Sequence, residues 1–292
     1  MTGAGALQIV VDVLSLGSLY ALMALGLVVV YGILRLVNFA YGELIMVTGY
    51  VLYLLSPSPL PWIVMALLAV LAATFASYLT ERIAFRPVRE RSLTAMLITS
   101  FAVSTLLQNA ALLLVSPRAR LVPVPDLLTE TIELWGAVLP VRNLLTIGVT
   151  VALLAGLTLL LKRTVLGIAL RAAADKFTMT RLLGVPANLV IGVAFAISGL
   201  LAGVVALFWL GRIASVTPAI GLMPLLIAFI ATVIGGMRSL VGAVVGGYVL
   251  GLMTVAINLL LPQDFLEYRE AFTFTLVILI LLFRPQGLIK AR

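Results

Sequence analysis

The 292-residue sequence predicts an all-α polytopic membrane protein with about 8–10 transmembrane helices, some of them short or interrupted. Hydrophobic residues make up 63% of the chain and charged residues only 10%, against roughly 45–50% and about 25% in soluble domains. So few charged residues cannot cover a soluble surface. The uncharged windows between them are long enough for the roughly 20 residues that a helix needs to cross a bilayer.

The charged residues divide the chain into windows that each predict one or two crossings. The window 44–80 contains Ser56-Pro57-Ser58-Pro59-Leu60-Pro61, through which no helix runs, so we expect two crossings near 38–55 and 62–80. The last window, 271–283, spans only if Tyr268 and Arg269 lie at the interface. The other windows predict one crossing each: 13–34, 92–117, 143–161, 182–211, 213–237 and 239–263.

Helices explain these windows better than strands do, because the runs are apolar all round and do not alternate apolar with polar residues. Glycines four residues apart allow close helix packing in a membrane. Such pairs occur at Gly199 and Gly203, Gly242 and Gly246, and Gly247 and Gly251.

The basic residues predict the orientation. Basic residues concentrate on the cytoplasmic side of membrane proteins. In the predicted topology 14 of the 19 basic residues are cytoplasmic, in the loops near 82–91 and 162–181, in the tail after 283, and at Arg35 and Arg238. About nine crossings then give an external N-terminus and a cytoplasmic C-terminus. Met1 to Val11 has no basic n-region, so we expect no cleaved signal peptide.

Residues 1–292 are expected to form one transmembrane domain, with a cytoplasmic loop at about 162–187 and an ordered external loop at about 116–142. The chain has no cysteine or histidine and no phosphate-binding Gly-x-x-x-x-Gly-Lys-Ser/Thr motif. No catalytic site, metal site or bound cofactor is therefore expected. The net charge of +8 reflects basic residues in cytoplasmic loops, where they set the topology and offer a surface for a partner or for membrane lipid. It does not require nucleic acid as a partner.

The first informative segment is YGILRLVNFAYGELIMVTGY, residues 31–50. Glu43 lies a few residues inside a predicted crossing, and an acid within a membrane is by default a functional hypothesis. Asn38 is expected to cap a helix that begins at Phe39. Three alternatives are open. Asn38, Tyr41 and Glu43 line a substrate pathway or gate, Glu43 lies near the cytoplasmic interface and pairs with Arg35, or the segment contacts another subunit.

Two further segments are informative. In the loop 162–187, Leu166-Gly167 is expected to break the chain before a short amphipathic helix, which ends at Gly184 with Pro186 just beyond. This helix suits docking to a soluble partner, or alternatively a position on anionic lipid. In the segment 217–251, Pro218, Gly221 and Pro224 interrupt a hydrophobic run, as in the broken helices that line transporter pathways.

At these segments the sequence resembles the branched-chain amino acid ABC importer permeases of the LivH type. The resemblance covers nearly the whole chain, but Tyr41 stands where the family usually has His and Arg238 where it usually has Gly. Tyr41 is larger than His and cannot become cationic, which leaves leucine-type specificity open. The matching stretches are the segment 31–50, GIALRAAADKFTMTRLLGVP with AFAISGLLAGVVA, IGGMRSLVGAVVGG and LLFRPQGLI.

The resemblance implies a type II-like ABC importer permease bundle in a bacterial or archaeal plasma membrane. Its implied partners are an extracytoplasmic substrate-binding protein, a second permease of the LivM type, and two ATPase subunits that bind ATP and Mg²⁺. The implied substrate is a branched-chain or other hydrophobic amino acid. The residues implied to form the ATPase coupling loop are Arg171, Ala172, Ala173, Asp175, Arg181 and Gly184.

Two alternatives remain open at this point. Related permeases carry urea, short amides or aromatic acids. An ion-coupled secondary transporter would use Asp12 or Glu43 as its coupling carboxylate, although such carriers usually bury several ionisable groups at mid-membrane.

Overall fold

The computed structural model describes residues 3–89, 91–134, 136–182, 184–237, 239–284 and 287–289. Over these residues the chain is mainly helical. The helices are α1 Gly3–Leu34, α2 Tyr41–Leu55, α3 Trp62–Thr80, α4 Leu93–Leu114, α5 Asp126–Thr129, α6 Val141–Arg163, α7 Val165–Leu182, α8 Ala187–Ile213, α9 Leu222–Gly235, α10 Leu240–Leu260 and α11 Arg269–Phe283. The strands are β1 Arg120–Leu121, β2 Thr131–Leu134, β3 Ala137–Pro140 and β4 Ser215–Val216.

Within the described residues, six helices are long and apolar enough to cross a membrane, namely α1, α3 with the π-helical turn that follows it, α4, α6, α8 and α10. The predicted all-α polytopic membrane fold is therefore confirmed. Two further apolar helices, α2 with 15 residues and α9 with 14, are shorter. At about 1.5 Å per residue neither reaches the roughly 30 Å of a hydrocarbon core. Helix α9 follows the interruption predicted at Pro218, Gly221 and Pro224, whereas α2 is shorter than the crossing predicted near 38–55.

The chain forms two compact units. The first consists of Met1–Val28, Asp126–Val151 and Ile227–Arg292, and the second of Val29–Pro125 and Ala152–Leu226. The expectation that residues 1–292 form one transmembrane domain stays a prediction.

In the first unit, glycines bring α10 close to its neighbours. A Cβ atom on Gly251 would lie 2.5 Å from the Gly17 Cα atom of α1, and Gly246 meets the Ala231 carbonyl of α9. Both contacts leave no room for a side chain. The predicted role of the glycine pairs of α10 in close packing is confirmed.

Polar side chains also join helices of the first unit. The Asn143 amide donates a hydrogen bond to Asp12 over 2.8 Å and accepts one from Ser15 over 3.1 Å. The Ser18 and Tyr248 hydroxyls are 2.9 Å apart. Asp12, Ser15 and Ser18 are spaced three residues apart, so they follow one side of α1.

In the second unit, α2, α3 and α8 pack against one another. A Cβ atom on Gly199 would lie 2.6 Å from the Ser77 Cβ atom, and one on Gly203 would lie 3.0 Å from the Val70 Cα atom. The Ser77 hydroxyl donates to the Phe195 carbonyl over 2.6 Å. The close approach predicted from Gly199 and Gly203 is thus the approach of α8 to α3.

The described residues of the loop at about 116–142, which the sequence predicts to be external, contain strands that the sequence did not predict. In the second unit β1 pairs antiparallel with β4, and the Trp62 indole donates to the Pro123 carbonyl over 3.0 Å. In the first unit β2 and β3 form an antiparallel hairpin, whose Ala137 and Leu139 are buried together with Val11.

The predicted break at Leu166-Gly167 is wrong, because α7 already begins at Val165. The Thr164 hydroxyl accepts a hydrogen bond from the Gly167 N–H over 3.0 Å and so caps the start of the helix. Gly167 is needed because a Cβ atom there would meet the backbone of Leu160. At the other end Gly184 has φ +84°, so the predicted left-handed helix stop is confirmed.

Candidate functional site

The connection from α1 to α2 brings the three predicted pathway residues together. Arg35 has φ 53° and an exposed side chain. Asn38 is buried, and its side-chain oxygen accepts from the Ala40 N–H over 3.1 Å. This bond closes a local turn over Phe39, so α2 begins at Tyr41, two residues later than predicted.

Glu43 is 1% exposed and takes its hydrogen bonds from α4. Its Oε1 atom accepts from the Ser104 hydroxyl over 2.9 Å and from the Gln108 amide over 2.7 Å. Its Oε2 atom has no hydrogen-bond partner among the described residues. The expected pairing of Glu43 with Arg35 is therefore wrong, since donors from α4 satisfy the carboxylate and Arg35 is exposed.

The partners of Glu43 also show how deep it lies. The 22 residues of α4 rise about 33 Å, which is enough to cross a bilayer core. Ser104 is at the middle of α4, and Gln108 is one turn nearer its C-terminal end. The carboxylate therefore lies level with the middle of α4 and not at either end of that helix.

The start of α2 is tightly packed. A Cβ atom on Gly42 would meet the Gly221 carbonyl, and one on Gly221 would meet the Gly42 carbonyl. Phe39 stacks on Phe101 of α4, with ring centroids 4.1 Å apart. Tyr41 is fully buried, and its hydroxyl has no partner among the described residues. The structure thus joins the predicted pathway segment to the Gly221 interruption that precedes α9.

A second cluster lies at the C-terminal end of α2 and was not predicted. The Arg120 guanidinium lies 5.5 Å from the centre of the Tyr53 ring. Tyr50, one turn earlier, is buried, and its hydroxyl has no partner among the described residues. The sequence carries no signal for this cluster, because Arg120 reaches α2 only through the pairing of β1 with β4.

A third cluster lies after α3 and was also missed. Glu81 is 3% exposed and forms an ion pair with Arg89 over 3.6 Å. Arg89 also donates a hydrogen bond to Asn188, at the start of α8. We call Glu81, Arg89 and Asn188 the α3–α8 polar cluster. The cluster therefore connects the segment after α3 with the start of α8, which follows the C-terminal end of α7 after a few residues.

The predicted coupling residues fall on both sides of α7. Arg171, Ala172 and Gly184 are exposed, whereas Ala173 is 2% exposed and packs inward. Ala173 therefore does not belong to the exposed surface with which the sequence grouped it. The side chains of Asp175 and Arg181 lie outside the described residues.

An exposed stripe on α7 was not predicted. Ile168, Met179 and Leu182 are 55%, 58% and 75% exposed, and with Ala172 they follow one side of the helix at steps of three, four or seven residues. The opposite side contains the buried Leu170. We call Ile168, Ala172, Met179 and Leu182 the α7 stripe.

Two of these regions have chemistry suited to binding. A buried carboxylate with one oxygen that lacks a described partner can accept a hydrogen bond from a polar group that reaches it. An amphipathic helix with an apolar exposed stripe can dock into a groove on another protein.

The similarity to known proteins extends over nearly the whole chain. Residues 9–281 match the family described as "Branched-chain amino acid transport system / permease component". The chain is 35% identical to the high-affinity branched-chain amino acid transport system permease protein BraD of Pseudomonas aeruginosa, over 97% of this chain and 95% of the relative. No solved structure gives a significant match.

Two further relatives come from a bacterium and an archaeon. The high-affinity branched-chain amino acid transport system permease protein LivH of Escherichia coli K12 is 32% identical, over 97% of this chain and 95% of the relative. The probable branched-chain amino acid transport permease protein LivH of Methanocaldococcus jannaschii is 28% identical, over 93% of this chain and 88% of the relative.

Proposed function

The chain belongs to the family of branched-chain amino acid transport permeases, and from this membership we propose how it works with its partners. It is a multi-pass membrane protein and the permease subunit of an ABC importer for branched-chain amino acids. Urea, short amides or aromatic acids are not favoured as substrates, because the relatives are named for branched-chain amino acids.

The proposed complex divides the work among several proteins. An extracytoplasmic binding protein delivers the amino acid, and this chain forms the membrane pathway with a second permease of the LivM type. Two ATPase subunits bind ATP and Mg²⁺ and hydrolyse the ATP. In this arrangement the loops near 82–91, α7 and the C-terminus face the cytoplasm, where basic residues concentrate.

The α7 stripe is the observation that carries the proposed coupling to the ATPases. Helix α7 lies between two predicted membrane crossings and buries one side. Its other side exposes isoleucine, methionine and leucine, and such an apolar surface is typical of an interaction site. A groove on the ATPase is the proposed cover, with Arg171 beside the stripe at the rim. Movement of the ATPases would then move α7, and with it α8 and the α3–α8 polar cluster.

The proposed pathway runs beside the start of α2. Asn38 fixes the turn before α2, while Tyr41 and Glu43 supply buried polar atoms without a full set of partners. Buried polar groups in a membrane cost free energy, so a group that occurs there is by default a candidate for function. Two short helices that begin next to each other at Gly42 and Gly221 also favour a pathway here, since transporters place interrupted helices at their substrate routes.

The coupling proposal can be tested with Leu182→Gln in the assembled complex. Since Leu182 is on the α7 stripe and exposed, the change should leave insertion intact but weaken ATPase docking, and uptake should fall about tenfold or more. Leu166→Gln is the matched control, because Leu166 is on the opposite side of α7 and partly exposed. Co-purification of the ATPases and leucine uptake would be measured for both. Equal loss in the two variants, or no loss in either, would reject the docking role of the stripe.

A further inference from the structure

We propose that the free oxygen of Glu43, Oε2, accepts the α-ammonium group of the amino acid as it passes the middle of the membrane. This inference rests on the proposed function, because it presupposes an amino acid in the pathway beside α2. It adds the chemical group of the substrate that this position recognises.

The hydrogen bonds of the carboxylate leave one buried oxygen without a partner among the described residues. Oε1 accepts two hydrogen bonds, from Ser104 and Gln108, which fill its two lone-pair positions. Oε2 is buried and has no partner among the described residues. Ser104 and Gln108 therefore hold the carboxylate in one orientation, with a buried oxygen that still needs a donor.

An ammonium group is the donor that fits best. A zwitterionic amino acid brings a positive charge to mid-membrane, where an unpaired ion is costly. A carboxylate at the same depth pairs with that charge, so neither ion remains unpaired. The substrate carboxylate would be repelled by Glu43, so the ammonium end must be the end that approaches α2.

The other acids of the described apolar helices are already engaged. Glu81 forms the ion pair with Arg89, and Asp12 accepts a hydrogen bond from Asn143. Both have protein partners that hold them in place. Glu43 combines burial near the middle of α4 with an oxygen that no described donor reaches.

A purely structural role would require a different set of contacts. Buried polar atoms that serve only packing usually have partners, because an unsatisfied one costs stability. Glutamine at position 43 could still accept from Ser104 and Gln108 through its side-chain oxygen. It would place an uncharged NH₂ group where Oε2 lies, and that group cannot accept from an ammonium group, so Glu43→Gln separates the two roles.

The experiment uses the complete complex, with both permeases, the ATPases and the binding protein, in proteoliposomes. We expect Glu43→Gln to lower leucine uptake about tenfold or more, while ATP hydrolysis stimulated by the liganded binding protein stays within about twofold of the wild type. Glu43→Asp is the matched control, since it keeps the carboxylate, and should retain more uptake than Glu43→Gln. Wild-type uptake in Glu43→Gln would overturn the proposal, as would equal losses of uptake and stimulated hydrolysis.

The wild-type complex provides a second measurement in case Glu43→Gln does not assemble. A hydrophobic carbodiimide modifies carboxyl groups within membranes, and peptide mass spectrometry can follow Glu43 and Glu81 separately. Liganded binding protein with a non-hydrolysable ATP analogue should slow modification of Glu43 several-fold and leave Glu81 unchanged. Equal rates at Glu43 with and without leucine would overturn the proposal.

The outcomes also separate this inference from the proposed function. Without ATP-dependent leucine uptake by the wild-type complex, the proposed function itself fails. With such uptake in the wild type and in Glu43→Gln alike, only the role of Glu43 fails.

Discussion

The ion pair between Glu81 and Arg89 gives the sharpest prediction about the stability of the second unit. The perturbation is Arg89→Ala, which leaves the buried Glu81 carboxylate without its ion-pair partner. Arg86 lies in the same loop and is exposed, and its charge acts on Glu81 more weakly than that of Arg89, so Arg86→Ala removes the same charge at a smaller cost.

The magnitude follows from the geometry. Two unit charges 3.6 Å apart attract each other by about 4–5 kcal/mol at the effective dielectric constant of about 20 that suits protein sites. Removing one partner of a buried pair typically costs about 3–5 kcal/mol, because the other charge stays buried. The lost hydrogen bond to Asn188 adds to this cost. Arg86→Ala should cost less than about 0.5 kcal/mol, like most surface substitutions.

The assay is unfolding of the purified protein in mixed micelles, with the free energy of unfolding obtained from a denaturant titration. Arg89→Ala should lower this free energy by about 3–5 kcal/mol, and combining it with Glu81→Gln should recover at least about 2 kcal/mol, because no buried charge then remains unpaired. The reasoning is refuted if Arg89→Ala costs no more than Arg86→Ala. It is equally refuted if Glu81→Gln gives no recovery.

Two other predictions concern the start of α2. Gly42→Ala places a Cβ atom against the Gly221 carbonyl, so the two backbones must separate. The free energy of unfolding in the same assay should therefore fall by about 1–3 kcal/mol. No change would mean that the contact is loose. Tyr41→Phe removes a buried hydroxyl without a described partner, so stability should stay the same or rise by up to about 1–2 kcal/mol. Leucine uptake should fall in Tyr41→Phe if the hydroxyl lines the pathway, and unchanged uptake would remove Tyr41 from it.

Several features of the fold could be predicted because they depend on local composition. Helices α2 and α3 begin and end close to the predicted crossings 38–55 and 62–80, since the proline cluster between them and the charged residues around them are local signals. Gly184 could be predicted as a helix stop because its left-handed backbone favours glycine.

Other features depend on contacts between distant parts of the chain. The partners of Glu43 are 61 and 65 residues away, whereas Arg35 is only eight residues away and therefore seemed the natural partner from sequence. The depth of Glu43 could not be predicted either, because it follows from the register of α2 against α4. The role of Glu43 in the pathway stays a prediction, whereas its pairing with Arg35 is wrong.

The coupling helix shows the same limit. The amphipathic pattern of α7 predicted a docking helix, and Arg171 and Ala172 are on its exposed surface as expected. Ala173 is adjacent in sequence but points 100° away, and it is buried. A pattern of small residues cannot show which side of a helix the rest of the protein covers.

The central claim is that this chain forms the pathway of an importer driven by ATP hydrolysis in partner subunits. The most direct measurement is uptake of labelled leucine into proteoliposomes that contain the complete complex, with the binding protein outside and ATP inside. We predict uptake that requires ATP and the binding protein and persists when an uncoupler collapses the ion gradients. Uptake that survives without ATP and disappears with the uncoupler would contradict the account.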